Sequence, residues 1–153
     1  MADLLSELRA HLITEGIVRD PATPGAQPPM WLQPRDGVPA PGEGPTTTAI
    51  GQTAVLGAFR TGGIPRGAYA SWGRLLTVDI TFRTTTAPAA VALDEQIRAV
   101  LVDRRDWMMG ALHVIECLPW REFQPVGSDR QSFDALASYV FEVYSSSDLY
   151  PAA

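Results

Sequence analysis

Cys117 and His113, four residues apart in "HVIECLPW", are the residue types that form a thiolate–imidazole nucleophile. Such a pair needs the sulfur and a ring nitrogen within about 3 Å of each other. On a strand, four positions keep both side chains on one face but set them about 13 Å apart. That excludes a direct hydrogen bond and leaves Cys117 as a small buried hydrophobe. His11 and His113 have no His, Cys or carboxylate around them at metal-ligand spacing. They read as partly buried or surface histidines. The glycines of "GAFRTGG" and "GEGPTTTAIG" lack the lysine and the strand–loop–helix setting of a phosphate cradle, so Gly42 and Gly44 mark a turn. Catalytic, metal-binding and cofactor-binding residues are therefore expected to be absent.

Two other groups bear on contact rather than reaction. Asp103 and Asp106 flank two arginines in "VDRRDWMMG". They form either a solvated helix end with local ion pairs or an arginine patch for an acidic partner. Trp31, Trp72, Trp107 and Trp120 each fall at the edge of an element or in a loop. Tryptophan there either seals the end of a small core or anchors an interface. The first role suits Trp31 and Trp107; the second suits Trp72, which lies among glycines in "GAYASWGR".

The composition narrows the class. The 153 residues are enough for one core, and residues 1–153 read as a single domain. With 46% apolar and 19% charged residues, and no apolar run near the roughly 20 residues of a membrane span, a soluble globular protein is expected and no membrane partner. The start "MADLLSELRAHL" has neither a basic nor a long apolar region, so a signal peptide is not expected. One cysteine permits no internal disulfide and fits a reducing compartment. All twelve cations are arginine, yet the net charge is −5, which disfavours wrapping nucleic acid.

The elements follow from periodicity. Leu4, Leu5, Leu8 and Leu12 make one helical stripe, stopped by Gly16. Met30–Gln33 is a short strand closed by Pro34, and Ala54–Arg60 is another. Leu76–Arg83 alternates strictly: Leu76, Val78, Ile80 and Phe82 point one way, and Thr77, Asp79, Thr81 and Arg83 the other. Thr86 caps a second helix with Pro88 in its first turn, and Leu93, Ile97, Val100 and Leu101 form its stripe. Asp94, Glu95, Arg98 and Arg104 lie off that stripe, and Gly110 ends the segment. Leu112–Cys117 is a strand ending near Pro119, and Ala135–Tyr144 is the last, with Tyr139, Phe141 and Val143 on one face. These elements predict an α+β two-layer sandwich: a mostly antiparallel sheet of four or five strands packed by two helices. Long loops at 20–29, 34–52 and 61–74 and a loose tail at 145–153 complete it.

"MWLQPRDGVPAPGEG", "LGAFRTGGIP", "DRRDWMMGALHVIE" and "LASYVFEVYSS", in this order, resemble the tail terminator proteins of long-tailed bacteriophages, especially those of actinobacteria. The resemblance runs from Asp3 to Tyr144 and lies in element order and segment texture. It implies a small α/β protein assembled as a hexameric ring in the virion. Such a ring caps the finished tail tube, stops its polymerisation, and docks head-completion proteins on its other face. DNA passes through the hole without specific binding, and neither chemistry nor a cofactor is involved. The proline- and glycine-rich stretches "RDGVPAPGEGP" and "RTGGIPRGAYASWG" then become contact arms between identical copies. By loop position and residue type, the expected contact residues are Arg35, Asp36, Val38, Glu43, Arg60, Ile64, Arg66, Tyr69, Trp72 and Arg74. The runner-up is a neighbouring head–tail joint protein, a head-completion or adaptor protein; a small binding domain of non-viral origin follows.

Overall fold

The computed structural model describes residues 3–33, 54–59, 73–128 and 133–144. Helix α1 (Leu4–Thr14) starts where the Asp3 carboxylate accepts from the Ser6 amide at 2.9 Å and from the Ser6 hydroxyl at 2.8 Å. It ends in a paired-carbonyl stop. Gly16, at φ +75°, donates to the Ile13 carbonyl, and Ile17 donates to Leu12. The leucine stripe read from the sequence is the buried face of this helix.

Strands β1 (Met30–Gln33), β2 (Ala54–Phe59) and β3 (Gly73–Thr84) precede helix α2 (Ala87–Leu101). The Thr86 hydroxyl caps α2 by accepting from the Ala89 amide, with Pro88 in the first turn. Strands β4 (Arg105–Met109), β5 (Leu112–Ser128) and β6 (Phe133–Tyr144) follow. The six strands form one sheet in the order β1-β2-β3-β6-β5-β4. Every neighbouring pair is antiparallel except β1 and β2. The expected class, a mostly antiparallel sheet packed by two helices, is the one observed, with six strands where four or five were expected.

Three local expectations change. Residues 105–109 form an edge strand instead of continuing α2. The apolar stripe stops at Leu101, four charged residues follow, and Trp107 and Met109 then alternate inward with a period of two. Strand β5 runs on to Ser128, through Pro119 and Pro125. Its pairing with β6 shifts register beside both prolines, and β4 pairs with it only as far as Glu116. Beyond that point no strand lies on its outer side among the described residues. A missing amide proton is tolerated at such an edge. Gly73 and Arg74, expected in a loop, open strand β3. The arm at 34–52, most of the arm at 61–74, and the tail at 145–153 lie outside the described residues.

Both helices lie on one face of the sheet, against Val55, Val78, Ile80, Phe82, Tyr139 and Phe141. Helix α1 touches β1, β2 and β4, that is, both ends of the sheet. The Arg9 guanidinium donates to the Met30 carbonyl on β1 at 3.2 Å. Two residues earlier, the Glu7 carboxylate accepts from the Ala111 amide in the β4–β5 turn at 3.3 Å. The His11 ring packs on Trp107 of β4, centroids 4.8 Å apart. Laid flat, β1 and β4 would be roughly 24 Å apart at five strand spacings. A helix is only about 10–12 Å across. The sheet therefore curls around α1, and the opposite face, on which no described helix lies, is convex.

Gly110 shows how tight this closure is. It sits at φ +61°, and a Cβ there would lie 1.5 Å from the Glu7 carboxylate oxygen. At Gly16, which also has positive φ, a Cβ would meet nothing within 4 Å. Both Gly→Ala variants incur backbone strain of about 1–2 kcal/mol, but only Gly110→Ala also displaces Glu7, adding about 1 kcal/mol or more. Urea unfolding should show Gly110→Ala as clearly the weaker variant. Equal losses would mean that the Glu7 contact contributes nothing.

Candidate functional site

The residues that could have supplied chemistry occupy structural places. Strand β5 carries a register shift between Val114 and Glu116. This bulge breaks the alternation, so that Val114 and Cys117 both turn into the core. His113, beside Val114, is on the convex face. The expectation that Cys117 and His113 share a face is thus overturned: the sheet lies between them. Burial drives the Cys117 thiol well above the usual thiol range, and the neighbouring Glu116 charge adds to this, so the reactive thiolate is suppressed. The His11 Nε2 lies 3.1 Å from the Val100 carbonyl and bonds α1 to α2. His113 pairs through Nε2 with Asp106 and stacks near Tyr144. Among the described residues, no three His, Cys, Asp or Glu side chains converge on a metal position, and no helix is long and apolar enough to cross a membrane.

The arginine pair at the end of α2 resolves into local ion pairs. Arg104 lies 3.2 Å from Glu15 and above the Trp107 ring, and Arg105 lies 3.2 Å from Glu116. Trp107 seals the core end beside α1, as its position in the sequence suggested. Trp31 is half-buried on the convex side, in register with Leu56 of β2. Of the expected contact residues, only Arg74 falls within the described set, in register with Val143. Arg35, Asp36, Val38, Glu43, Arg60, Ile64, Arg66, Tyr69 and Trp72 lie outside it.

One buried polar cluster escaped the sequence. Asp94, expected off the α2 stripe, is buried and accepts from the Tyr139 hydroxyl at 2.6 Å. Its position between Ala90 and Ile97 was the available signal, since residues 90, 94, 97 and 101 share a helix face. Burial and the Asp94 carboxylate raise the Tyr139 hydroxyl far above the ordinary tyrosine range, and Arg98 opposes them weakly. A buried tyrosine needs an acceptor, and Asp94 supplies it.

The convex face is the candidate site. Arg83 and Asp134 make a two-pronged ion pair across β3 and β6, at 2.7 and 2.8 Å. Ser138 donates to Asp79 beside it. Toward the β4 end the same face turns apolar and exposed: Met108 is 58% accessible, Leu118 47% and Tyr144 39%. Between them, Glu116 and Glu142 stand directly opposite each other on β5 and β6. This surface has the mixed apolar and charged character of a protein contact.

No protein-family model and no curated protein sequence matches the chain. Two solved chains follow a similar trace. One, from the virion of a native gene transfer agent particle, is 13% identical over 94% of this chain and 92% of that one, with a TM-score of 0.49. The other, whose name states no activity, is 14% identical over 97% and 98%, with a TM-score of 0.48. At these values the likeness assigns no role.

Two outcomes follow from the buried groups. Tyr139→Phe leaves the Asp94 carboxylate without its donor and should cost about 1–3 kcal/mol in chemical unfolding. A neutral result would place Asp94 in water. Stability should also fall as the pH rises. The unfolded chain releases the Cys117 proton above about pH 8.5 and the Tyr139 proton above about pH 10, while the folded chain holds both. Cys117→Ala should remove the part of the decline that begins near the lower value; an unchanged alkaline profile would count against a suppressed thiol.

Proposed function

We propose that this chain is a structural protein of a long-tailed, phage-type virion, working as the tail terminator at the head–tail joint. Six copies close into a ring that caps the tail tube and ends its polymerisation. The opposite side of the ring receives the head-completion proteins. The ring assembles in the host cytoplasm and performs no reaction. The observation that supports an assembly role is the convex face: among the described residues it carries no helix, yet exposes Met108, Leu118 and Tyr144. A face of this kind is completed by another protein surface. The terminator position within the joint comes from the order and texture of the four quoted segments.

Charge agrees with DNA passing through without being gripped. The chain carries a net charge of −5. Arg9, Arg19, Arg83, Arg104 and Arg105 all bond to groups of their own chain. Phosphate contacts would have to break those bonds first.

Light scattering coupled to size-exclusion chromatography should find a mass of several chains, and substoichiometric protein should stop the growth of purified tail tube protein. A monomer at every concentration, with tube growth unaffected, would refute the proposal. Binding to portal protein without any effect on tube growth would transfer the chain to the neighbouring head-completion position.

A further inference from the structure

We propose that Arg9 and Arg19 together lock the outer edge of β1, and that this lock stops copies of the chain from pairing strand to strand. The lock is independent of the ring proposed above. Among the described residues, β1 is the last strand at its end of the sheet. The backbone groups that such a strand turns outward are a template for another chain's strand.

At Met30 both outward groups are taken. The preceding Pro29 carbonyl faces β2 and accepts from the Val55 amide at 2.9 Å. The Met30 amide faces the other way and donates to the Arg19 carbonyl at 3.0 Å. The Met30 carbonyl accepts from the Arg9 guanidinium at 3.2 Å. A strand arriving at this edge would have to displace both partners.

Each partner is held by a different part of the fold. Arg9 extends from α1, which four buried leucines fix in place, and its side chain is only 12% exposed. The Asp20 carboxylate, 4.0 Å away, balances its charge. Arg19 follows Ile17 and Val18, both buried in the core. Its amide donates to the Pro28 carbonyl at 3.0 Å. Its guanidinium donates to the carbonyls of Gln27 and Thr23 at 2.9 and 2.8 Å. One residue thus closes the loop 20–29 on itself and lays its own carbonyl against Met30.

These contacts suit a guard better than passive packing. An arginine that only packed its stem would keep its guanidinium in water. Arg9 instead brings a cation to one backbone carbonyl at a sheet edge, and a charge set there is a barrier to strand addition. Its bond is charge-assisted, roughly twice as strong as the neutral one that an incoming amide would offer the same carbonyl.

The test compares full-length variants by light scattering and thioflavin T fluorescence. Arg9→Met keeps the stem and removes the donor. It should stay folded by circular dichroism, yet shift to higher mass than the unmodified chain, grow with concentration and time, and gain thioflavin signal. Arg9→Lys, which can still donate, should keep the unmodified size. Gly16→Ala is the control: it strains the backbone without touching β1, so it should not grow. If Arg9→Met fails to fold, Arg19→Ala takes its place, since its guanidinium bonds lie at the surface, and it too should shift upward in mass. A folded Arg9→Met, or in its stead a folded Arg19→Ala, that keeps the unmodified size overturns the proposal, as does equal growth of Arg9→Lys or Gly16→Ala. Those results leave the ring standing, because its mass is read on the unmodified chain alone.

Discussion

Helix α1 holds together a sheet that would otherwise be open at both ends. Four leucines bury one side of the helix, each contributing about 1.5–3 kcal/mol as an upper figure. The polar ties of Glu7 to the β4–β5 turn and of Arg9 to β1 contribute about 1 kcal/mol each. Apolar burial therefore provides most of the attachment, and the two polar bonds decide where the helix sits. Because those bonds reach opposite ends of a six-stranded sheet, they set its curvature. The curvature in turn separates a concave, helix-filled face from a convex one.

The two faces treat polar groups differently. On the concave side, Tyr139 and Asp94 satisfy each other in the core, with Arg98 one helical turn further along α2. Removing one member costs more than the pair contributes, since a buried partner is left behind. Such a network fixes how α2 lies on β6. On the convex side, Arg83 and Asp134 pair across the strands, but Glu116 and Glu142 face each other in opposition. The like-charge opposition lies on the convex side, where a contact that supplies a cation gains most.

The sequence showed this much through periodicity and capping. The α1 stripe, the strict alternation around Val78 and Ile80, the bounds of β1 and the Thr86 cap are all local signals, and all appear where they were expected. What escaped is non-local. Strand β4 is five residues long and begins with charges, so only its pairing with β5 makes it a strand. Prolines argued for an early end to β5, yet at an edge their missing amide costs nothing. The bulge near Ile115 reversed the faces of Cys117 and His113, and nothing in "HVIECLPW" encodes a bulge, because it arises from the fit to β6. The convex patch was illegible for the same reason: Met108, Leu118 and Tyr144 lie far apart in the chain and meet only through sheet order. Asp94 was legible by spacing, but its charge masked it.

Sheet proteins that assemble must avoid pairing edge to edge without limit. Here the edges are guarded. The Arg19 backbone bridges to Pro29 and accepts from the Met30 amide alongside β1. At the other end β4 is short, and Asp106 turns its backbone into the left-handed region at φ 52°. The outer side of β5 past β4 carries two prolines and repeated register shifts. Strand addition is disfavoured at each of these places, while the convex face keeps its apolar side chains exposed. Association is thereby directed to faces and away from edges. A face that meets a different surface on the next copy closes after a fixed number of subunits when the rotation permits, whereas an open edge has no such limit.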